Sequence, residues 1–230
     1  HRPRMSPDGR ILAFPANDTS GKSRIWVRPL NALAAQAIAG TEGATRPFWS
    51  PDSRFIGFVA DGKLKKVDVT GGPPTKICDA PSGSDGTWSP QGVILFDGQG
   101  NDPVLRVSAA GGTPVALITP DPARKEQVGW PEFLPDGKHF LYMAISPKAE
   151  ESAYRIGSLD SKETKVLAPA QTMLTYAPQG YLLFVRDKTL VAQPFDAKAL
   201  KTTGEPVPLA EQIGTNSAAR HHRDVISCAP

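Results

Sequence analysis

The sequence predicts an all-β fold, a β-propeller of four-stranded antiparallel blades. Three observations predict it. One turn recurs about every forty residues, an apolar run follows each copy, and an aromatic residue or methionine precedes each copy. The recurring turns are Arg4-Met5-Ser6-Pro7-Asp8-Gly9, Phe48-Trp49-Ser50-Pro51-Asp52-Ser53, Thr87-Trp88-Ser89-Pro90-Gln91-Gly92, Glu132-Phe133-Leu134-Pro135-Asp136-Gly137 and Thr175-Tyr176-Ala177-Pro178-Gln179-Gly180. From Pro7 to Pro51, Pro90, Pro135 and Pro178 the steps are 44, 39, 45 and 43 residues. A fixed period of this size marks a repeat architecture.

Each turn has a local cause. Proline presets φ at the first central position, Asp or Gln suits the next, and glycine takes the left-handed conformation that closes the hairpin. Ser53 replaces that glycine in the second copy, so this turn is expected to be strained or differently shaped. The apolar runs after the turns are second strands: 11–14, 55–59, 93–96, 140–145 and 181–185. Third strands are expected at 24–28, 64–69, 104–108, 154–159 and 189–195. The run 64–69 alternates poorly and should carry an irregularity. Short outer strands close each unit at 36–39, 75–78, 115–118, 164–167 and 207–210.

A lone four-stranded blade cannot bury both faces, whereas blades stacked round an axis cover one another. The residues before the turns, Trp49, Trp88, Phe133 and Tyr176, are therefore expected to pack between blades. A β-sandwich also has strands at short spacing but does not require one turn at one phase five times. The blades fall near 1–44, 45–84, 85–127, 128–171 and 172–214, with 215–230 a tail or the remnant of a further blade. Five blades are recognisable, and the ring is read as closed at five or as an incomplete circle of six.

Composition agrees and excludes several functions. Of 230 residues, 40% are hydrophobic and 21% charged, which suits a packed core. Proline and glycine, 23 and 21, punctuate short apolar runs rather than replacing them. The net charge of +3 is spread along the chain with no basic stripe, against nucleic-acid binding. Cys78 and Cys228 make neither a disulfide framework nor a metal motif. No apolar run is long enough to span a bilayer, and no signal peptide is evident. The chain begins at His1 and is read as a mature form or a piece of a longer protein.

No catalytic constellation emerges. His222-Arg223-Asp224 spells a kinase catalytic triplet, but no D-F-G or Gly-rich strand turn accompanies it. No G-x-S-x-G nucleophile elbow occurs. The stretch Gly98-Gln99-Gly100-Asn101-Asp102 lacks the last glycine of a dinucleotide loop. Read as a calcium loop from Asp97, it has Ser108 where the bidentate Glu belongs. It reads as a hairpin loop. His221, His222 and Asp224 lie in the tail without supporting ligands, so no metal or other cofactor is expected. Asn17-Asp18-Thr19 is a formal glycosylation sequon. A binding module, expected to be monomeric, is the reading that remains.

Propellers bind ligands at a mouth of the central channel. Counting three residues back from the packing position gives Arg2, Arg46, Asp85, Trp130 and Met173, which strand alternation should bring to one rim. Two cations, an anion, an indole and a thioether could hold a peptide, a carboxylate or a protein loop. Equally, they could cap the channel and pair with one another, Arg46 with Asp85 for example.

The turn followed by Ile-Leu-Ala-Phe or Phe-Ile-Gly-Phe resembles the repeat of TolB-like propellers over residues 1–214. That motif is specific for fold and uninformative for function. The stretches Gly180–Arg186, Leu190–Asp196 and Thr203–Glu211 are similar to the C-terminal propeller region of bacterial serine/threonine protein kinases of the Acidobacteria type. The resemblance implies an exported sensory region on the periplasmic or extracellular side of a bacterial membrane, binding a protein, a peptide or a small envelope ligand. The alternatives are a TolB-like periplasmic scaffold and a propeller accessory to a serine peptidase encoded in the same gene. The flanking reading frame discriminates the three. After Arg220 the chain departs from the kinase pattern, which would begin another Ser- and Gly-rich blade.

Overall fold

A computed structural model describes residues 3–98, 100–170, 172 and 174–213. They form five antiparallel sheets, arranged as the blades of a propeller ring. Blade one holds β1 (Arg4–Met5), β2 (Ile11–Asn17), β3 (Ser23–Pro29) and β4 (Gln36–Ala37). Blade two holds β5 (Thr45–Trp49), β6 (Phe55–Ala60), β7 (Lys63–Asp68) and β8 (Thr75–Asp79). Blade three holds β9 (Gly86–Trp88), β10 (Val93–Phe96), β11 (Val104–Ser108) and β12 (Val115–Ile118). Blade four holds β13 (Gln127–Phe133), β14 (His139–Ile145), β15 (Ala153–Ser158) and β16 (Lys165–Pro169), with a one-turn 3-10 helix at Ala149–Glu151. Blade five holds β17 (Thr175–Ala177), β18 (Tyr181–Arg186) and β19 (Thr189–Asp196). Both β20 (Lys201–Thr202) and β21 (Val207–Ala210) pair with β19.

The repeated turn is built as its residues require. Gly9, Gly92, Gly137 and Gly180 all have left-handed φ, and Ser53 adopts the same conformation at φ 60°. The second turn therefore keeps its shape and carries strain, since a Cβ at positive φ is disfavoured. The turn's serine adds a second tie: Ser50 Oγ donates to Asp52 at 2.6 Å and accepts the Phe55 N–H at 2.8 Å. Ser6 does the same with Asp8 and Ile11.

The irregularity expected in the third strand of blade two falls instead in the strand outside it. β7 pairs with β6 without a break, while its register to β8 shifts between Leu64 and Lys65. The extra residue is Ile77 of β8, so the bulge belongs to the outer strand, and β7 itself runs without one.

The core lies between the blades. Ala13, Ile25 and Val27 of blade one meet Trp49, Ile56 and Phe58 of blade two. Leu64 and Ile77 meet Ile94, Phe96 and Val107 across the next seam. Leu95 and Val104 meet Val128, Phe140 and Tyr142, and Leu141, Met143 and Ile156 meet Leu174, Leu182 and Phe195. Among the described residues no such cluster joins blade five to blade one.

Phe48 shows how tightly one seam is fitted. A Cβ on Gly57 would stand 2.3 Å from its ring, and one on Gly86 would stand 2.6 Å from it. Both positions must lack a side chain for the ring to lie there. Among the described residues no helix is long and apolar enough to cross a membrane.

Candidate functional site: the central channel

The inner strands β1, β5, β9, β13 and β17 surround the channel. At the end where they begin, the structure brings together Arg46, Asp85 and Trp130; Arg2 and Met173 lie outside the described residues. What joins the three is Asp97, in the loop after β10. Its Oδ1 accepts the Asp85 N–H at 2.6 Å, and its Oδ2 accepts the Trp130 N–H at 2.7 Å. The Arg46 guanidinium donates to the hydroxyl of Ser84, and Arg4 Nη2 lies 3.4 Å from Asp85 Oδ1. Asp85 and Asp97 are both buried.

Burial, followed by the charge of Asp85, pushes the Asp97 carboxyl up to about 7. The N–H bonds from Trp130 and Asp85 and the charge of Arg46 pull the other way without cancelling it. Burial and the nearby Asp85 thus favour the protonated form of Asp97 at this rim.

Arg46 and Trp130 share an unusual backbone. Their φ values are 49° and 55°, and each precedes a proline. In both strands the register skips the same two positions, between Thr45 and Phe48 and between Gly129 and Glu132. These are β-bulges, which re-aim side chains at strand ends. At Trp130 the bulge sends the indole against the core shared by blades four and five. A substitution there would perturb packing as well as the rim. Asp97 approaches so closely that a Cβ on Gly129 would lie 2.6 Å from its Oδ2.

A cavity lies toward the other end, where the inner strands finish. It has a volume of about 380 Å³ and is lined by equivalent residues of all five repeats. One ring holds the packing residues Met5, Trp49, Trp88, Phe133 and Tyr176. A second holds the residues just before them, Arg4, Phe48, Thr87, Glu132 and Thr175. The turn prolines Pro7, Pro51, Pro90, Pro135 and Pro178 form the third. This volume is within the range of ligand sites, and its walls are mostly apolar with a few polar groups. The sequence repeat contains the cavity, which runs from the residue just before the packing position forward to the turn proline rather than three residues back.

The cavity also explains the burial of the packing residues. Trp49 is buried, whereas Trp88, Phe133 and Tyr176 are only half-buried. Their inter-blade faces meet the cores as expected, and their other edges border the cavity. Polar ties lock the inner ring. Trp49 Nε1 donates to Arg4 O at 3.0 Å, and the Phe133 N–H donates to Thr87 Oγ1 at 3.2 Å. Glu132 Oε1 accepts Thr175 Oγ1 at 2.8 Å and the Tyr176 N–H at 2.9 Å.

The described residues contain no group of three or more His, Cys, Asp and Glu side chains placed to hold a metal ion. Cys228, His221, His222 and Asp224 lie outside them. The loop from Asp97 to Pro103 joins β10 to β11 as a hairpin connection, with Asp102 against the Ser82 hydroxyl.

The geometry has solved counterparts. TolB from Acinetobacter baumannii superposes with a TM-score of 0.67 at 15% identity, over 92% of this chain and 54% of that one. A candidate TolB from Agrobacterium tumefaciens gives 0.61 at 17% identity, over 73% of this chain and 65% of that one. The fold is that of a TolB-like β-propeller. A prolyl endopeptidase also superposes, with a TM-score of 0.59 at 15% identity, over 91% of this chain and 35% of that one.

No family model matches the sequence. Two curated proteins share segments with it. An uncharacterised peptidase of Bacillus subtilis, YuxL, is 29% identical over 108 residues, 41% of this chain and 16% of that protein. The replication protein E1 of bovine papillomavirus type 3 is 36% identical over 73 residues, 32% of this chain and 11% of that protein. The chain thus spans a small part of the curated proteins it resembles, and less than two thirds of either TolB.

Proposed function

We propose that this TolB-like propeller is a non-catalytic binding module that takes a protein or peptide segment into its central cavity from the turn side. The observation that carries the reading is the cavity itself, walled by packing residues and turn prolines from every repeat. Apolar walls with a few polar groups suit an extended segment whose side chains enter the opening. The likeness to TolB proteins supports a binding or scaffold role.

The finer reading is an exported sensory region of a bacterial serine/threonine kinase, on the periplasmic or extracellular side of the membrane. Its support is the similarity of residues 180–211 to the propellers of such kinases. The matches to YuxL and to a prolyl endopeptidase favour a second reading, an accessory propeller beside a serine peptidase domain. In both, the propeller binds and another domain does the chemistry. The reading frame decides between them: a kinase domain and membrane helix upstream support the first, a G-x-S-x-G domain downstream the second.

The binding role is tested by selecting peptides from a displayed library against the chain and re-testing them against Pro90→Trp. Pro90 is exposed at the cavity mouth, so an indole there obstructs entry without touching a core. Peptides that bind the native chain and fail on the variant support the reading. Selected peptides that ignore the substitution overturn it.

A further inference from the structure

The polar groups in the cavity wall are unequally committed. Glu132 already accepts the Thr175 hydroxyl and the Tyr176 N–H. Thr87 accepts the Phe133 N–H, and the Thr175 hydroxyl is spent on Glu132. Arg4 differs. Among the described residues its guanidinium makes one contact, a long one of 3.4 Å from Nη2 to Asp85, while the side chain stays a quarter exposed at 25%. A guanidinium has five N–H donors in a planar fork, and that fork matches a carboxylate. Most of Arg4's donors remain to be used, at the edge of an apolar cavity.

We infer that the cavity recognises a carboxylate carried on an apolar or aromatic body, with Arg4 as its anion anchor. The inference rests on the cavity being the ligand site. The carboxylate meets the donors of Arg4 that Asp85 leaves over. The attached side chain fills the space between Trp88, Phe133 and the turn prolines. A cation is disfavoured there, because the carboxylates within reach are engaged and Arg4 repels it. The same chemistry is offered by a small aromatic acid and by the C-terminus of a peptide that ends in an aromatic residue.

The test measures the affinity of four probes through the emission of Trp49 and Trp88 in the wall. They are N-acetylphenylalanine, its amide, and a short peptide ending in phenylalanine with a free or an amidated C-terminus. The free carboxylate is expected to bind about tenfold better than the amide, the worth of one charge-assisted contact. Arg4→Gln should erase that preference and Arg4→Lys should keep part of it, with thermal unfolding of both variants measured alongside. Preference for the free acid confined to N-acetylphenylalanine assigns the carboxylate to a small molecule. A peptide that binds better than N-acetylphenylalanine assigns it to a chain terminus. Equal binding of acid and amide, a preference that survives Arg4→Gln, or no binding of any probe at millimolar concentration overturns the inference. If library-selected peptides remain sensitive to Pro90→Trp in that case, the binding-module reading stands and only the carboxylate assignment fails.

Discussion

The main-chain N–H of Trp130 donates to Asp97 Oδ2 at 2.7 Å, so a loop of blade three holds a left-handed residue of blade four. A backbone conformation costing roughly 1–3 kcal/mol for a bulky residue persists only where its surroundings over-determine it. Asp97, facing the glycine at position 129, supplies that constraint.

Asp97 should make stability depend on pH in an identifiable direction. Its folded-state pKa is raised from 3.8 to about 7, chiefly by burial. For an acid shifted upward, the stabilising contribution is complete below the unfolded value and is lost as pH rises through the folded one. The charged groups facing it are Asp85, Arg46 and, through Asp85, Arg4. Asp97→Asn removes the titration but forfeits one of the two N–H acceptors, so it should be less stable throughout. The gap in Tm between the native chain and Asp97→Asn should narrow from pH 4 to pH 8. A gap that widens over that range would contradict the assignment.

Trp49 is buried where Trp88, Phe133 and Tyr176 are half-buried, and its indole N–H also ties blade two to blade one. Trp49→Ala should cost about 3–5 kcal/mol in denaturant unfolding. Trp88→Ala should cost clearly less, because Trp88 is only half-buried. Equal losses would show that the half-burial of Trp88 is not what distinguishes the two.

Gly57 should not tolerate a methyl group. Glycine to alanine within a strand ordinarily gains stability, roughly 0.5–1 kcal/mol. Here the new Cβ would meet the Phe48 ring at 2.3 Å. Gly57→Ala should instead lose about 1–3 kcal/mol through overpacking. Gly157, whose Cβ would meet Phe140 at 2.5 Å, should behave alike. A rise in Tm for either variant would mean that the rings move aside freely.

Much of this architecture is legible in the chain because its cause is local. Proline followed by Asp-Gly or Gln-Gly dictates a turn wherever it stands, and its fixed spacing implies the blades. Even the defect at Ser53 is readable, since no other turn of the set lacks glycine. The rim is less legible. Arg46, Asp85 and Trp130 lie near one another, but their organiser is Asp97, whose partners are backbone N–H groups 12 and 33 residues away. Backbone donors leave no mark in a sequence. The Arg46-Pro47 and Trp130-Pro131 pairs do signal a departure from regular strand, because proline has no N–H for the ladder. The cavity follows from how far the inner strands stand from the axis, a quantity set by blade number and seam packing rather than by any one residue.

The central claim is that the ligand enters the cavity at the turn end, not the rim at the other end. It is tested by the Kd of one library-selected peptide for three proteins: the native chain, Pro90→Trp and Arg46→Ala. The account predicts a loss of about a hundredfold or more for Pro90→Trp at unchanged Tm, since obstruction removes most of the contact energy. It predicts a nearly unchanged Kd for Arg46→Ala. The reverse pattern, with full binding by Pro90→Trp and loss in Arg46→Ala, would contradict it and move the site to the rim.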